Sequence, residues 1–422
     1  MIPPPRLGPR PLPLHLGTAL SGWTSCEAAW PLLRRESAHS KAGEGADPFA
    51  ALLAEIDAVA RGAPTGTFER ALKREIARRM DRLAAGVLAY RQHKVRRTLA
   101  EPPVVWSEGG TRLLDYGATD RSARRRGARA VLVVPSLINR WQVLDLAPGK
   151  SLLRAMAASG LRPYLVDWGD PGAIERGYDA AGYVGRLERA LSFVARRARR
   201  APAVMGYCMG GTLAVGLAAR RPRGVAALAL LAAPWDFHAD RTGQAFLVSS
   251  GPLLARLAQQ LGELPLDVLN TLFWSLDPWL AEKKFARFAG MDPESDAARD
   301  FVLLEDWLNE GPALAGPTAR DCLIDWYGAN LPGAGDWTVA KTRVTPAKLK
   351  MPALVLIPSG DRIVPPGSAA ALTEPGRGLA NATRRDLPLG HIGMVVSGRA
   401  RDLCWEPLIA WLQENPVRRA RA

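Results

Sequence analysis

The sequence predicts an α/β protein with a mostly parallel central sheet, helices on both faces and a helical insertion late in the chain. Three observations predict it. Short, wholly apolar runs such as Ala130 to Val134 alternate with longer amphipathic ones through the middle of the chain. One of them, Ala203 to Gly206, runs straight into Tyr207-Cys208-Met209-Gly210-Gly211 and a helical stretch. Between Pro234 and about Lys350 the alternation stops and the chain turns helical and Trp-rich. Fully apolar strands separated by helices are buried on both faces, which means a parallel sheet covered on both sides.

Taken in order, residues 1–46 are rich in Pro, Gly, Ser and Ala without apolar periodicity and read as a mobile tail with at most a short helical turn. Residues 47–100 read as a helical segment. Asp47 and Pro48 suit an N-cap and first helical position for the apolar set Phe49, Leu52, Leu53 and Ile56. Phe68, Leu72, Ile76, Met80, Leu83 and Val87 then recur every three or four residues among Arg and Lys, a basic amphipathic helix. It either packs on the catalytic body or docks on a partner or lipid-like surface.

Residues 101–234 form the first part of the α/β core. Val104 to Trp106 and Arg112 to Tyr116 flank Glu108-Gly109-Gly110 as a hairpin, and strands at 130–134, 163–166, 203–206 and 225–231 alternate with helices at 151–159 and 183–200. Residues 351–422 complete the core with strands at 353–357 and, more weakly, 382–387. The insertion at 235–350 is most simply a cap over the carboxyl edge of the sheet, where open α/β folds bind ligands. Its Trp235, Trp274, Trp279, Trp307, Trp326 and Trp337 serve as cap core or as ligand contacts.

Composition narrows the function. The 422 residues carry 56 Lys+Arg against 41 Asp+Glu, a formal charge of +15. The basic clusters Arg124 to Arg126, Arg196 to Arg200 and Arg220 to Arg223 lack interleaved aromatics, so they read as solvated faces or attractors of an anionic ligand rather than a nucleic-acid surface. Cys26, Cys208, Cys322 and Cys404 are widely spaced, which suggests neither a disulfide framework nor a metal site and suits the cytoplasm. No run of about 18 uninterrupted apolar residues suggests a membrane span.

The chemistry sits in three segments. In Gly206-Tyr207-Cys208-Met209-Gly210-Gly211 the glycines permit a sharp strand-to-helix turn that lifts Cys208 above the sheet at a helix N-terminus, where the dipole favours thiolate. Asp361, in Ser359-Gly360-Asp361-Arg362, follows the strand at 353–357, and His391, in Leu389-Gly390-His391-Ile392, follows the last strand. The chain order nucleophile, acid, histidine is that of an α/β-hydrolase triad. The bland alternatives are an inert cysteine on a Gly-rich turn, a capping aspartate and a loop histidine. The oxyanion donors expected with such a site are the backbone N–H of Met209 and, from the loop after the strand at 130–134, that of Ile138. Asn139, Arg140, Tyr207 and His238 are the candidate substrate-binding residues.

The sequence resembles the polyhydroxyalkanoate (poly-β-hydroxybutyrate) synthase family in Val134-Pro135-Ser136-Leu137-Ile138-Asn139-Arg140 with Leu144-Asp145-Leu146, in Val166-Asp167-Trp168-Gly169-Asp170-Pro171, in Gly206 to Thr212, in Asp361 to Pro365 and in Gly390 to Gly393. The resemblance runs across about residues 100 to 412. It implies an α/β-hydrolase fold with a Cys208-Asp361-His391 triad that joins hydroxyacyl groups from CoA thioesters into polyester, with CoA thioester as substrate and no cofactor, in a cytoplasmic and granule-associated dimer. The first hundred residues do not match, Pro366 stands where an aromatic often follows the Asp motif, and Met394 to Gly398 lacks an Asn-Pro often seen after the His motif. The other readings are a cysteine-dependent hydrolase of thioesterase or dienelactone-hydrolase type and a non-catalytic granule-associated relative.

Overall fold

A computed structural model describes residues 5–37, 48–64, 66–125, 127–240 and 245–415, so the N-cap expected at Asp47 lies outside the described residues. The chain divides into two compact units, Arg96–Leu276 with Asp306–Ala422, and Met1–Val95 with Asp277–Glu305.

The first of these units is built on an eight-stranded sheet. Its strands are β1 (Val104–Glu108), β2 (Thr111–Asp115), β3 (Arg129–Val134), β4 (Leu161–Asp167), β5 (Ala203–Tyr207), β6 (Leu228–Leu231), β7 (Ala353–Pro358) and β8 (Ala382–Leu387). Their order is β1-β2-β4-β3-β5-β6-β7-β8, with β2 antiparallel to both neighbours and the remaining pairs parallel. Every residue of β5, β6 and β7 is buried, and β3 and β4 each leave one residue partly exposed. Successive side chains point to opposite faces, so both faces are covered. At the edge, β8 exposes Arg384, Arg385 and Asp386, charges that discourage further strand pairing. This is an α/β-hydrolase fold, with the mostly parallel sheet that the sequence pattern implies.

The register sets the ends of the central strands side by side, with Val134 opposite Gly206 and Gly206 opposite Leu230. The loops leaving β3, β5, β7 and β8 therefore emerge at one edge. The helix Ala180–Ala198, capped by the Asp179 carboxylate accepting from Gly182 N–H at 2.8 Å, buries Tyr183, Val184, Leu187, Leu191 and Val194. From the same helix Arg186, 1% exposed, reaches Glu175, 2% exposed, at 3.0 Å and Thr111 Oγ1 at 2.8 Å. Glu175 also accepts the Gly110 N–H at 3.1 Å, so one buried ion pair ties the β1–β2 hairpin to the core.

The other unit corrects the expectation of a mobile tail. Leu12–Ser37 is one helix, and Thr67–Gln92 is a second. The basic helix buries Leu83, Val87 and Tyr90 with Phe285, Phe288 and Val302, and Gly86 approaches the Phe285 carbonyl so closely that a Cβ would lie 1.9 Å from its oxygen. Its apolar stripe is thus covered by the inserted segment Asp277–Glu305. The expected single cap at 235–350 is correspondingly divided, since that segment belongs with the N-terminal helices and not with the sheet.

Removing one member of a buried ion pair strands its partner in a low dielectric. Glu175→Ala is expected to lower unfolding stability by about 3–5 kcal/mol in urea titrations, whereas Arg384→Ala on the exposed edge shifts it by less than about 0.5 kcal/mol.

Candidate active site

Cys208 is the residue between β5 and the helix Met209–Arg220, with φ 54° and ψ −132°. A non-glycine residue is held there only when its surroundings over-determine it. Three features do so. Its N–H donates to the Leu231 carbonyl at 2.9 Å and its carbonyl accepts the Gly211 N–H at 2.8 Å. A Cβ on Gly206 would sit 2.5 Å from the Gly211 Cα, and one on Gly210 would sit 2.2 Å from the Val134 carbonyl oxygen, so both positions have room only for glycine. The turn is compressed against the end of β3, and the sulfur is left half-buried at the helix N-terminus.

His391 is buried, and its Nδ1 lies 2.6 Å from Asp361 Oδ2. The other carboxylate oxygen of Asp361 accepts the N–H groups of Ile363 and Val364, both at 2.8 Å, which fixes the carboxylate at the end of β7. With Nδ1 occupied, Nε2 is the ring atom free for the sulfur. Burial lowers the pKa of His391, but the Cys208 charge, hydrogen bonds to Asp361 and Cys208 and the Asp361 charge outweigh it and raise the imidazole to about 10. The three residues expected from their order in the chain therefore come together as one coupled group.

Met209, whose N–H the sequence offers as an oxyanion donor, is the first residue of the helix after Cys208. The Ile138 N–H is already committed, donating to Ser136 Oγ at 3.2 Å in the loop after β3. Ile138 also lines an apolar cleft together with Ile363 from the core and Leu269, Leu272, Cys322 and Tyr327 from the insertion. Tyr327 stands near enough to Cys208 that, after burial, charge on that sulfur is the leading influence raising its phenol pKa.

No family model matches the chain. The poly(3-hydroxyalkanoate) polymerase subunit PhaC of Synechocystis sp. is 32% identical over 295 residues, covering 68% of this chain and 78% of that relative. The chain belongs to the poly(3-hydroxyalkanoate) polymerase family. The polymerase subunit PhaC of Allochromatium vinosum is 29% identical over 293 residues, 68% of this chain and 81% of its own. Among solved structures, a Paleococcus ferrophilus monoacylglycerol lipase aligns with a TM-score of 0.47 and 18% identity over 69% of this chain and 97% of the lipase.

In this polymerase-family chain most of the polar residues chosen from sequence as substrate contacts have partners within the protein. The Arg140 guanidinium is not an open anion contact, because Nη2 holds Asp170 at 2.8 and 3.1 Å while Nε donates to the Glu310 carbonyl at 2.7 Å. Tyr207 is buried and its hydroxyl donates to the His391 carbonyl at 3.2 Å, so it supports the imidazole loop and does not face the cleft. His238 Nε2 lies 3.0 and 3.2 Å from the Tyr327 and Gly328 carbonyls, a clamp on the insertion. Asn139 is half-buried, with Gly311 packed beside its Oδ1. Tyr327 and Ile363 were missed as cleft residues; Tyr327 sits in a Trp-rich run that reads as plain core. Among the described residues no group of three or more His, Cys, Asp or Glu is arranged to hold a metal.

Gly210→Ala drives a methyl group into the β3 carbonyls and is expected to cost about 1–3 kcal/mol and to abolish site-specific alkylation of Cys208. The His391 ring, followed by NMR, is expected to titrate near 10 and to fall by more than one unit in Cys208→Ala, because the largest raising influence is gone while burial still lowers it.

Proposed function

We propose that this chain polymerises hydroxyacyl groups supplied as CoA thioesters, with Cys208 as nucleophile, His391 as proton carrier and Asp361 as its orienting carboxylate. The observation that carries this reading is the 2.6 Å Asp361–His391 bond beside a cysteine on a strained strand-to-helix turn. The thiolate attacks the thioester carbonyl, the C–S bond to CoA breaks, and CoA leaves as thiol with the His391 proton. The backbone N–H of Met209 and of Ile138 serve the oxyanion, the latter once it leaves Ser136 Oγ.

Acylation then changes His391. The acylated sulfur carries no charge and gives the ring no thiolate partner, so the leading influence that raises the imidazole vanishes and burial draws it toward neutrality. His391 thereby becomes a base when one is needed. A hydroxyl of a second hydroxyacyl group attacks the Cys208 thioester, its proton passes to His391, a C–O bond forms and the C–S bond to Cys208 breaks. Thioester exchange is nearly neutral and conversion of thioester to ester is downhill, which suits sulfur to ester elongation. An apolar cleft that excludes water favours the hydroxyl acceptor over hydrolysis. No cofactor beyond the CoA thioester substrate is required in this reading. The excess positive charge attracts the CoA phosphates, and the enzyme works in the cytoplasm at a polyester granule surface as a homodimer. Among the described residues no helix is long and apolar enough to cross a membrane.

Incubation with 3-hydroxybutyryl-CoA is expected to release thiol and deposit insoluble polyester, and Cys208→Ala to slow release on the order of 10³-fold or more. Release with free acid and no polymer identifies a cysteine hydrolase instead, and release that survives Cys208→Ala overturns the mechanism.

A further inference from the structure

The lining of the apolar cleft is aliphatic except for a few side chains. Ser275 lines it as well, but its hydroxyl is turned back to the Leu272 carbonyl at 2.6 Å. Cys322 is a buried thiol whose pKa is raised, first by burial, so it stays a weakly polar S–H. Tyr327 brings the one hydroxyl of the lining that is not turned back on the protein, and it does so on the side near Cys208.

The position of that ring is fixed from several directions. Residues Asp321–Gly328 form a π-helical turn, a form often found at functional sites. The ring packs edge-on against Phe237 at 4.9 Å between centroids. Its backbone carbonyl lies 3.0 Å from His238 Nε2. Three residues on, Asn330 accepts the Phe237 N–H through Oδ1 at 2.9 Å and donates through Nδ2 to Asp236 Oδ1 at 2.8 Å. The loop after β6 and the inserted turn are thereby stitched together at Tyr327 and just beyond it. Three hydrogen bonds and a ring contact hold a phenol against an aliphatic wall.

We infer that Tyr327 is a substrate-contacting residue whose phenol donates a hydrogen bond to an ester carbonyl of the growing chain lying in the cleft. The inference rests on the polymerase reading above and adds to it the group that holds the product. An ester offers a carbonyl acceptor and no donor, so an apolar cleft with one protonated donor matches its chemistry: aliphatic wall for the carbon chain, phenol O–H for the carbonyl. A first hydroxyacyl group bound to Cys208 has no ester yet. The contact therefore acts on elongation and leaves the first acylation alone.

Tyr327→Phe removes the donor and keeps the ring. Its expected signature with 3-hydroxybutyryl-CoA is a first-turnover burst of thiol within twofold of the parent, steady-state release lowered about three- to tenfold, and shorter polyester with more free acid. Tyr327→His, which retains a ring N–H, is expected to recover part of the elongation rate, and it carries the test alone if Tyr327→Phe melts early. Burst and steady state both unchanged, or both lowered by the same factor in a variant that melts like the parent, overturn the inference. Failure of the polymerase reading itself looks different, as thiol release that persists in Cys208→Ala.

Discussion

The site depends on one backbone constraint, the positive φ at Cys208. Such a conformation costs a non-glycine residue on the order of 1–3 kcal/mol, and here the surrounding chain supplies what holds it. β6 accepts its N–H, the first turn of the following helix takes its carbonyl, and bare glycines allow β3 and the helix to close on the turn from either side. The sulfur is then presented at the edge of the sheet where the loops from β7 and β8 deliver a carboxylate and an imidazole. Those loops need only short reach, because parallel pairing has already aligned the strand ends.

Electrostatics at this turn link the two halves of the proposed cycle. Charge on the sulfur raises the imidazole, and the carboxylate, held by two backbone N–H groups, fixes which ring nitrogen faces the sulfur. In the cycle we propose, charge on the sulfur keeps His391 protonated for the release of CoA, and loss of that charge on acylation makes the ring an acceptor for a hydroxyl proton. In the same proposal the aliphatic lining of the cleft favours that hydroxyl over water. Sulfur chemistry, ring titration and cleft lining thus act on the same choice between ester and acid.

Much of this was legible in the sequence. Continuous apolar runs located the five buried strands, because a strand covered on both faces has no polar alternation to obscure it. Glycines bracketing Cys208 marked the elbow, and the loops after the apolar strand at 353–357 and the weaker one at 382–387 placed Asp361 and His391. What was not legible depended on long-range partners. Arg140 looks like an anion contact until Asp170, thirty residues on, and Glu310 occupy its guanidinium. Tyr207 sits beside the nucleophile in sequence, yet alternation along β5 turns it inward, beneath His391. The helix Leu12–Ser37 is low in charge contrast and carries Pro31, and part of its covering surface comes from residues more than two hundred positions later. Tyr327 carries no motif, since its significance lies in the company of Phe237, His238 and Asn330 across the insertion.

The most direct test of the covalent step is mass spectrometry of the peptide containing Cys208 after rapid acid quenching of the protein with a hydroxyacyl-CoA. A thioester-linked hydroxyacyl increment on that peptide, lost on treatment with hydroxylamine, is the expected result. An increment on the peptides of Cys26, Cys322 or Cys404 alone, or CoA release with no increment at any cysteine, would contradict the account.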